Sequence, residues 1–290
     1  MTDPEEAIRH CYSTWGQSYY EDYYTDKAAY PPVHKDIIRR ELKRNGTKTL
    51  LDAGCGPASI LRDLTELEMD LFGFDLTPEM VQECKKIMSG LKYDPDHFWE
   101  GSVTQTEDFR GPTSTPDEFD ASICIGVLPH IPSDQDDLVF ANLRASVKEG
   151  GLVMIEARNE LFSLFTLNRY SYDFFLDRLC KGEIPEHLQD ELKKRFRMDR
   201  PTIRKGKKEE PGYDEVLSRT HNPFEVKVQF ERAGFKNVQT LFYHFHGFPP
   251  MFEQEAPKEF KKLSLAMEKN PNDWRGHFMA SAFLITGIAT

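Results

Sequence analysis

The stretch Lys48-Thr49-Leu50-Leu51-Asp52-Ala53-Gly54-Cys55-Gly56-Pro57-Ala58 joins a short apolar run to a glycine-rich turn. The apolar run, Thr49 to Leu51, predicts a buried strand. A helix capped by a serine is predicted to follow over Ser59–Leu67. Gly54 and Gly56 allow a sharp bend and close approach to a ligand, because neither carries a Cβ atom. The stretch therefore predicts a strand-turn-helix unit whose free N–H groups face a ligand.

The next apolar run, Asp70-Leu71-Phe72-Gly73-Phe74-Asp75, ends in a carboxylate about twenty residues after the glycine turn. In nucleotide-binding α/β folds, an acid at this spacing accepts hydrogen bonds from the two ribose hydroxyls. Thr77 and Pro78 predict the start of another helix. Asp75, with its neighbour Leu76, is therefore a candidate cofactor-binding residue.

Both segments resemble the motifs of class I S-adenosylmethionine-dependent methyltransferases. Asp52-Ala53-Gly54-Cys55-Gly56 is similar to the first motif, D-x-G-C-G-x-G, with Ala58 in place of the last glycine. The segment from Gly73 to Met80 resembles the second motif, G-x-D-x-S-x-x-M. The dinucleotide fingerprint G-x-G-x-x-G fits less well, because Ser59 occupies its third glycine. The resemblance implies S-adenosylmethionine as the cofactor, bound by Asp52, Gly54, Gly56 and Asp75.

The composition of the chain limits the classes of molecule that it is expected to bind. The chain of 290 residues has a formal net charge of −11 and a pI of about 5.4. An acidic surface argues against nucleic acid or an anionic membrane as partner. The five scattered cysteines form no metal-type or redox-type pair. The acidic start lacks the regions of a signal peptide, and no stretch is long and apolar enough to span a bilayer. A soluble, cytoplasmic protein with a small-molecule substrate is expected, and nothing indicates its oligomeric state.

Strand and helix patterns alternate from residue 48 to residue 159, which indicates an α/β fold with a doubly wound parallel sheet. The later strands are predicted at His97–Val103, Phe119–Gly126, Leu152–Asn159, Val238–His246 and Phe278–Ile288. The resemblance implies a mostly parallel seven-stranded sheet, with the last strand as an antiparallel edge. Ligands bind beyond the carboxyl ends of such strands. The further candidate cofactor-binding residues at those ends are Ser102, Val103, Ile125, Gly126 and His130.

Two of these positions carry polar side chains. In the family, an aspartate that contacts the adenine amine often follows the third-strand glycine, and here the residue is Ser102. Its hydroxyl can also accept that N–H bond. Val127-Leu128-Pro129-His130 resembles the family's V-L-x-H segment, in which a histidine often lies beside the cofactor. A structural contact at the strand end is the other interpretation of His130.

Residues 8–30 combine many tyrosines with a helical spacing of apolar and aromatic positions. The segment could be an amphipathic helix over the core, or a lid whose hydroxyls reach the cofactor or substrate. The resemblance favours a lid, because many small-molecule methyltransferases close their cofactor site with an N-terminal helix that bears tyrosines. Residues 1–45 are accordingly predicted as an N-terminal helical lid, with Tyr12, Tyr19 and Tyr20 as candidate cofactor-binding residues.

Residues 161–219 interrupt the alternation and are predicted as a helical cap inserted between 46–160 and 220–290, the two parts of the methyltransferase domain. The basic cluster at 193–208 could be a solvated surface or part of a cap that recognises an anionic substrate. The candidate substrate-binding residues are Arg158, Asn159, Tyr170, His221, His244 and His246.

The resemblance implies transfer of a methyl group to an oxygen or nitrogen of a small, anionic metabolite. Alignment of the two reactants can supply much of the reduction in the activation barrier. A hydroxyl acceptor needs a base, and a neutral histidine suits this role near pH 7. The candidate catalytic residues are His130, His244 and His246. The last two share one face of a strand by the two-residue period, but no third ligand is placed, so no metal site is predicted.

Three other functions stay open. A nicotinamide-dependent oxidoreductase would use the same fold class, although Ser59 and the Asp52 motif disfavour it. A catalytically silent, S-adenosylmethionine-binding regulatory protein is compatible with Ala58, Ser102 and Glu149, the departures from the family motifs. An aromatic cap could also admit a protein side chain as acceptor. The chain lacks the Asn/Asp-Pro-Pro-Tyr sequence of nucleic-acid amino-methyltransferases, which counts against DNA or RNA as substrate.

Overall fold

The computed structural model describes residues 4–13, 19–25, 32–112, 115–195 and 216–290. The strands are β1 (Thr49–Ala53), β2 (Asp70–Asp75), β3 (Phe98–Glu100), β4 (Phe119–Cys124), β5 (Val147–Arg158), β6 (Phe235–Phe245) and β7 (Ala280–Ala289). They form a seven-stranded sheet in the order β3-β2-β1-β4-β5-β7-β6. Strands β1 to β5 pair in parallel, whereas β7 runs antiparallel to both β5 and β6. The predicted α/β fold with a mostly parallel seven-stranded sheet is confirmed.

The sheet lies between helices. The α-helices are α1 (Pro4–Tyr12), α2 (Tyr19–Tyr24), α3 (His34–Asn45), α4 (Leu61–Leu64), α5 (Pro78–Gly90), α6 (Asp136–Ala145), α7 (Ser163–Thr166), α8 (Arg169–Asp173), α9 (Glu186–Arg195), α10 (Pro223–Arg232), α11 (Pro257–Met267) and α12 (Gly276–Met279). A π-helical turn, Phe174–Leu179, follows α8. In the described ranges, no helix has the length and apolar character that a membrane crossing requires.

The hydrophobic core occupies both faces of the sheet. On one face, Phe140 of α6 and Phe230 of α10 pack in a cluster with Leu51. On the other, Ile38 of α3 packs in a cluster with Leu50. Neighbouring residues of β1 thus point to opposite faces, and both are buried, as expected of a central parallel strand. This double layer leaves the carboxyl ends of the strands as the accessible edge of the sheet.

Helix boundaries follow the sequence signals in two places and depart from them in one. Gly46 ends α3 in the left-handed conformation, with φ of +66°, and Thr77 is the N-cap of α5. The helix predicted over Ser59–Leu67 is shorter: α4 spans Leu61–Leu64 and a 3₁₀ turn follows. Ser59 does not cap it, because its hydroxyl makes no hydrogen bond.

The position of the last strand differs from the expectation. β7 was predicted as an antiparallel edge, but it lies between β5 and β6, which leaves β6 at the edge. The physical reason is burial, because nearly every residue of β7 is buried, as an interior strand requires. β6 instead carries exposed residues near its start and a register shift between Lys236 and Gln239. Such irregularity is tolerated at an edge.

The predicted cap is described in part. Its helices α7, α8 and α9 lie within residues 163–195, whereas most of the basic cluster falls within 196–215, outside the described residues.

A half-buried acid just after α11, Glu268, makes stability depend on pH. Oε1 of Glu268 accepts the N–H of Phe245 at 2.7 Å, while Oε2 is buried without a partner. Burial raises the pKa of Glu268 from 4.5 to about 7. Since the folded-state pKa lies above the unfolded one, the protonated form stabilises the fold. That contribution is present below pH 4.5 and is lost as the pH rises through 7.

Glu268→Gln should therefore stabilise the protein at pH 8 by on the order of 2 kcal/mol and change stability little at about pH 4.5. The amide keeps an oxygen for Phe245 and removes the buried charge. Urea unfolding at both pH values measures the effect, with Glu259→Gln on the exposed side of α11 as control. An equal effect of Glu268→Gln at both pH values would contradict this assignment.

Candidate functional site

A cavity opens at the carboxyl ends of β1 to β4, with about 860 Å³ of empty space including its mouth. The glycine turn and the segments after β2, β3 and β4 form its walls, and α1 lies over it. The predicted cofactor-binding residues that line it are Tyr12, Asp52, Gly54, Gly56, Asp75, Leu76, Ser102, Val103, Ile125, Gly126 and His130. The structure therefore brings together residues that are distant in sequence: Tyr12 and His130 are 118 positions apart.

The glycine turn is held against β2. The N–H groups of Gly54 and Cys55 both donate to the carbonyl of Phe74, at 2.8 and 2.9 Å. Gly54 has φ of +92°, and a Cβ placed there would lie 2.3 Å from Cγ2 of Val127. Gly56 has φ of +50°, and a Cβ there would meet no atom within 4 Å. The first glycine is thus required by packing, whereas the second leaves open space.

Substitution separates these two roles. Gly54→Ala is expected to destabilise the fold by about 3 kcal/mol, because the methyl group overlaps Val127 and the backbone is strained. Gly56→Ala should cost only about 1 kcal/mol of strain but should weaken ligand binding in the cavity more than about fivefold. Thermal melts and ligand titration distinguish the pair. Equal stability of the two variants would refute the assignment.

Asp75 is fixed by two backbone donors. Its Oδ2 accepts the N–H of Gly56 and its Oδ1 accepts the N–H of Thr77, both at 2.9 Å. Burial raises the pKa of Asp75, while these two N–H bonds oppose the rise. Each carboxylate oxygen keeps acceptor capacity beyond one bond. The carboxylate is therefore held ready to accept two hydroxyl groups of a ligand.

Two polar atoms in the cavity wall have no partner. Oδ1 of Asp52 and Oγ of Ser59 are buried without a hydrogen bond. Burial, and then the charge of Asp75, raises the pKa of Asp52 well above its ordinary value. The lining carries the carboxyl groups of Glu5, Asp52 and Asp75 but no lysine or arginine among the described residues. Such a wall suits a ligand with positive charge and hydrogen-bond donors.

Tyr12 and His130 form a pair in the cavity wall. The Tyr12 hydroxyl lies 3.5 Å from Nε2 of His130. Nδ1 of His130 lies 2.6 Å from the carbonyl oxygen of Leu217. Because a carbonyl only accepts, Nδ1 carries the proton and donates, which leaves Nε2 with a lone pair. Nε2 can therefore receive a proton from a hydroxyl group at the cavity.

Tyr20, another candidate lid tyrosine, makes contacts away from this pair. The Tyr20 hydroxyl donates to Oδ1 of Asp63 at 3.2 Å, and the Arg62 guanidinium carbon lies 3.9 Å from the Tyr20 ring centre. Tyr20 does not line the cavity. The side chain of Tyr19 lies outside the described part of the chain.

The cavity also contains residues that sequence reasoning did not select. Glu5, Ile8, Tyr24 and Ser59 line it. Glu5, Ile8 and Tyr12 follow a helical spacing within α1, which begins at Pro4. This spacing is the sequence signal that could have placed Glu5 and Ile8 on the same helix face as Tyr12. The closeness of Tyr24 to Asp52 had no local signal, since β1 follows it by more than twenty residues.

The candidate substrate-binding residues do not line the cavity. Arg158 donates to the hydroxyl of Ser218. The amide nitrogen of Asn159 donates to the carbonyls of Gly276, His277 and Ala280. Tyr170 lies on α8. His221 is buried and pairs with Asn159 in an isolated bridge. Their substrate roles stay predictions.

His244 and His246 differ in their surroundings, which corrects the expectation that they share a face. The His244 ring lies 6.1 Å from that of His34, whereas the His246 ring lies 4.6 Å from Phe162. His244 has φ of +54°, which breaks the strand alternation. Accordingly Tyr243 and Phe245, two residues apart, belong to different core clusters.

The basicity of His246 is also low. Burial, with the nearby His244, lowers the pKa of His246 to about 3, a poor match for a base near neutral pH. Among the residues that the structure describes, no three His, Cys, Asp or Glu side chains come close enough to hold a metal ion.

Comparison with known proteins gives one family model and several similar chains. Residues 51–153 match the model described as "Methyltransferase domain". Ubiquinone biosynthesis O-methyltransferase of Xylella fastidiosa strain M23 is 26% identical over 153 residues, which are 52% of this chain and 58% of that enzyme. The matched part thus covers less than two thirds of this curated relative.

Two solved structures resemble the fold. Magnesium protoporphyrin IX methyltransferase from Synechocystis PCC 6803, with bound S-adenosylhomocysteine, superposes with a TM-score of 0.55 at 12% identity, over 99% of this chain and 100% of that chain. Phosphoethanolamine N-methyltransferase 2 from Haemonchus contortus gives a TM-score of 0.53 at 13% identity, over 100% of this chain and 60% of that chain. At these identities the likeness concerns the fold.

Proposed function

We propose, from the premise that residues 51–153 form a class I S-adenosylmethionine-dependent methyltransferase domain, that this chain methylates a hydroxyl oxygen of a small molecule. One observation carries the proposal. One cavity is lined by the carboxyl groups of Asp52 and Asp75 and by the Tyr12–His130 pair. The first group suits a cationic adenosyl cofactor, and the second suits removal of a proton from an acceptor.

The cavity wall fits this cofactor. Asp75 would accept the two ribose hydroxyls, because its carboxylate is already fixed by the N–H groups of Gly56 and Thr77. The unpartnered Oδ1 of Asp52 and Oγ of Ser59 would take up the polar methionine end. The open space at Gly56 admits the ligand close to the backbone. When bound, S-adenosylmethionine supplies an electrophilic methyl group on a positively charged sulfur.

His130 is the proposed base. Its Nδ1 donates to the carbonyl of Leu217, which fixes the ring and keeps the lone pair of Nε2 on the side of the Tyr12 hydroxyl. The Tyr12 hydroxyl lies 3.5 Å from Nε2 of His130. It orients the acceptor hydroxyl, or it donates its own proton to Nε2 and takes the proton of the acceptor. A hydroxyl acceptor needs this step, whereas an amine with a lone pair does not. The name of the Xylella relative, an O-methyltransferase, agrees with an oxygen acceptor.

Residues 1–45 are proposed as the lid of this cavity. On α1, Glu5, Arg9 and Tyr12 share one face at helical spacing, and each contacts the sheet edge. Helix α2 is held by Tyr20, which donates to Asp63, the ion-pair partner of Lys35 at 2.5 Å. A closed lid would exclude water from the reacting groups. Residues 161–219 are proposed as the cap on the acceptor side.

The charge of the acceptor is inferred from the cavity lining. An anionic metabolite was expected from the basic cluster at 193–208, most of which lies outside the described residues. The described cavity lining contains acids and no lysine or arginine. A neutral hydroxyl compound is therefore proposed first, with an anionic one as the second case. With a net charge of −11, nucleic acid is an unfavourable partner.

Transfer of tritium from methyl-labelled S-adenosylmethionine tests the proposal. The acceptor panel contains phenols, catechols and aliphatic alcohols, each with and without a carboxylate or phosphate, and matched amines. Label should appear in a hydroxyl compound, with a rate that rises with pH as His130 loses its proton. Label only in amines would refute oxygen transfer. Cofactor binding without label in any acceptor would favour a silent regulatory protein.

A further inference from the structure

The helix α1 contacts the sheet edge through a carboxylate. Oε1 of Glu5 accepts the hydroxyl proton of Ser102 at 2.6 Å and that of Thr104 at 2.9 Å. Arg9, one turn later, pairs with Glu100 at 2.9 Å. Glu5 also lines the cavity. Glu5 thus places its carboxylate at the end of β3, although it is 97 positions away from Ser102 in the sequence.

The order of the strands tells which part of the cofactor lies there. The carboxyl ends run β3, β2, β1, β4 across the cavity. In the proposed function, Asp75 at the end of β2 holds the ribose, and the wall at the end of β1 holds the methionine part. The base is attached to the other side of the ribose. It must therefore lie toward the end of β3, beside Glu5 and Ser102.

Ser102 has little capacity left to bind the base itself. Its hydroxyl proton goes to Glu5, and its oxygen accepts the N–H of Thr104 at 3.2 Å. The Thr104 hydroxyl lies 2.8 Å from the same oxygen. The carboxylate of Glu5, by contrast, is an acceptor-only group that can take several hydrogen bonds at once. The two hydroxyls hold it in place.

We infer that Glu5, on α1 and not on the sheet edge, reads the base of the cofactor by accepting an N–H of the adenine amine. The inference rests on the proposed function, because it requires an adenosyl ligand. Ser102 and Thr104 are positioning residues for the carboxylate. Since α1 also carries Tyr12, recognition of the base and placement of the acceptor-side hydroxyl depend on the same helix.

This assignment makes a chemical prediction about base specificity. A carboxylate attracts an amine but repels the carbonyl oxygen that replaces it in hypoxanthine. The wild-type protein should bind S-adenosylhomocysteine at least about 30-fold more tightly than S-inosylhomocysteine. Glu5→Gln keeps an oxygen for Ser102 and Thr104 and adds an N–H₂ donor. It should bind the adenosyl ligand about five- to tenfold more weakly and the inosyl ligand more tightly.

Calorimetric titration of both ligands into wild type, Glu5→Gln and Glu6→Gln tests the inference without turnover. Glu6 is the matched control, since it neighbours Glu5 on α1 but is exposed. The ratio of the affinity for S-adenosylhomocysteine to that for S-inosylhomocysteine should fall below about 5 in Glu5→Gln only. An unchanged ratio in Glu5→Gln, or an equal fall in Glu6→Gln, would overturn the role of Glu5. Failure of wild type to bind S-adenosylhomocysteine would instead overturn the proposed function.

Discussion

His130→Ala is expected to lower kcat by about 10²–10³-fold on a hydroxyl acceptor. The affinity for S-adenosylhomocysteine should change by less than about threefold, because the strongest proposed cofactor contacts come from Asp75 and Asp52. The reason is the geometry of the ring: Nδ1 is committed to Leu217, so Nε2 is the atom that can take the acceptor proton. Tyr12→Phe removes only the hydroxyl that lies 3.5 Å from Nε2 of His130. This substitution should lower kcat about tenfold or more.

The pH profile distinguishes a base from a structural histidine. In the wild type, kcat/KM should rise with pH through the titration of His130, and in His130→Ala that limb should be absent. His97→Ala is the matched control, since Nδ1 of His97 also lies within hydrogen-bond distance of a backbone carbonyl, Leu71, at 3.2 Å. A kcat of His130→Ala within threefold of wild type, or an unchanged pH profile, would remove His130 from the mechanism.

Asp75→Ala is expected to weaken binding of S-adenosylmethionine by more than about tenfold. The substitution removes the proposed acceptor of the ribose hydroxyls. It also frees the N–H groups of Gly56 and Thr77, which both point at this carboxylate. Asp70→Ala is the control, because Asp70 is the exposed first residue of the same strand.

Isothermal titration measures both Asp75→Ala and Asp70→Ala, and a thermal melt without ligand separates lost affinity from lost folding. Asp70→Ala should bind as wild type does. If Asp75→Ala kept wild-type affinity, the ribose would have to be held elsewhere, and the placement of the base beside Glu5 would fail with it.

Much of the cavity wall could be predicted, because its geometry is local in sequence. A strand, a glycine turn and a second strand about twenty residues later place Asp52, Gly54 and Asp75 together whenever the βαβ unit forms. The parallel sheet then brings the ends of β3 and β4 to the same edge. Hence Ser102, Gly126 and His130 line the cavity as expected.

The remaining features depend on contacts that local sequence does not encode. The contact between Glu5 and Ser102 joins residues 97 positions apart, and the helical spacing of Glu5 does not indicate which strand end it contacts. The insertion of β7 between β5 and β6 follows from competition for burial among distant strands. The left-handed conformation of His244 breaks the two-residue period on which the pairing of His244 with His246 rested. These were decided by tertiary packing.

Isothermal titration of the chain with S-adenosylmethionine, S-adenosylhomocysteine and NAD in parallel tests the central claim most directly. The cavity built from the acid at the end of β2, the glycine turn and Asp52 predicts micromolar binding of both sulfur compounds and none of NAD. Absence of binding to either sulfur compound, or preferential binding of NAD, would contradict the assignment of this cavity to S-adenosylmethionine.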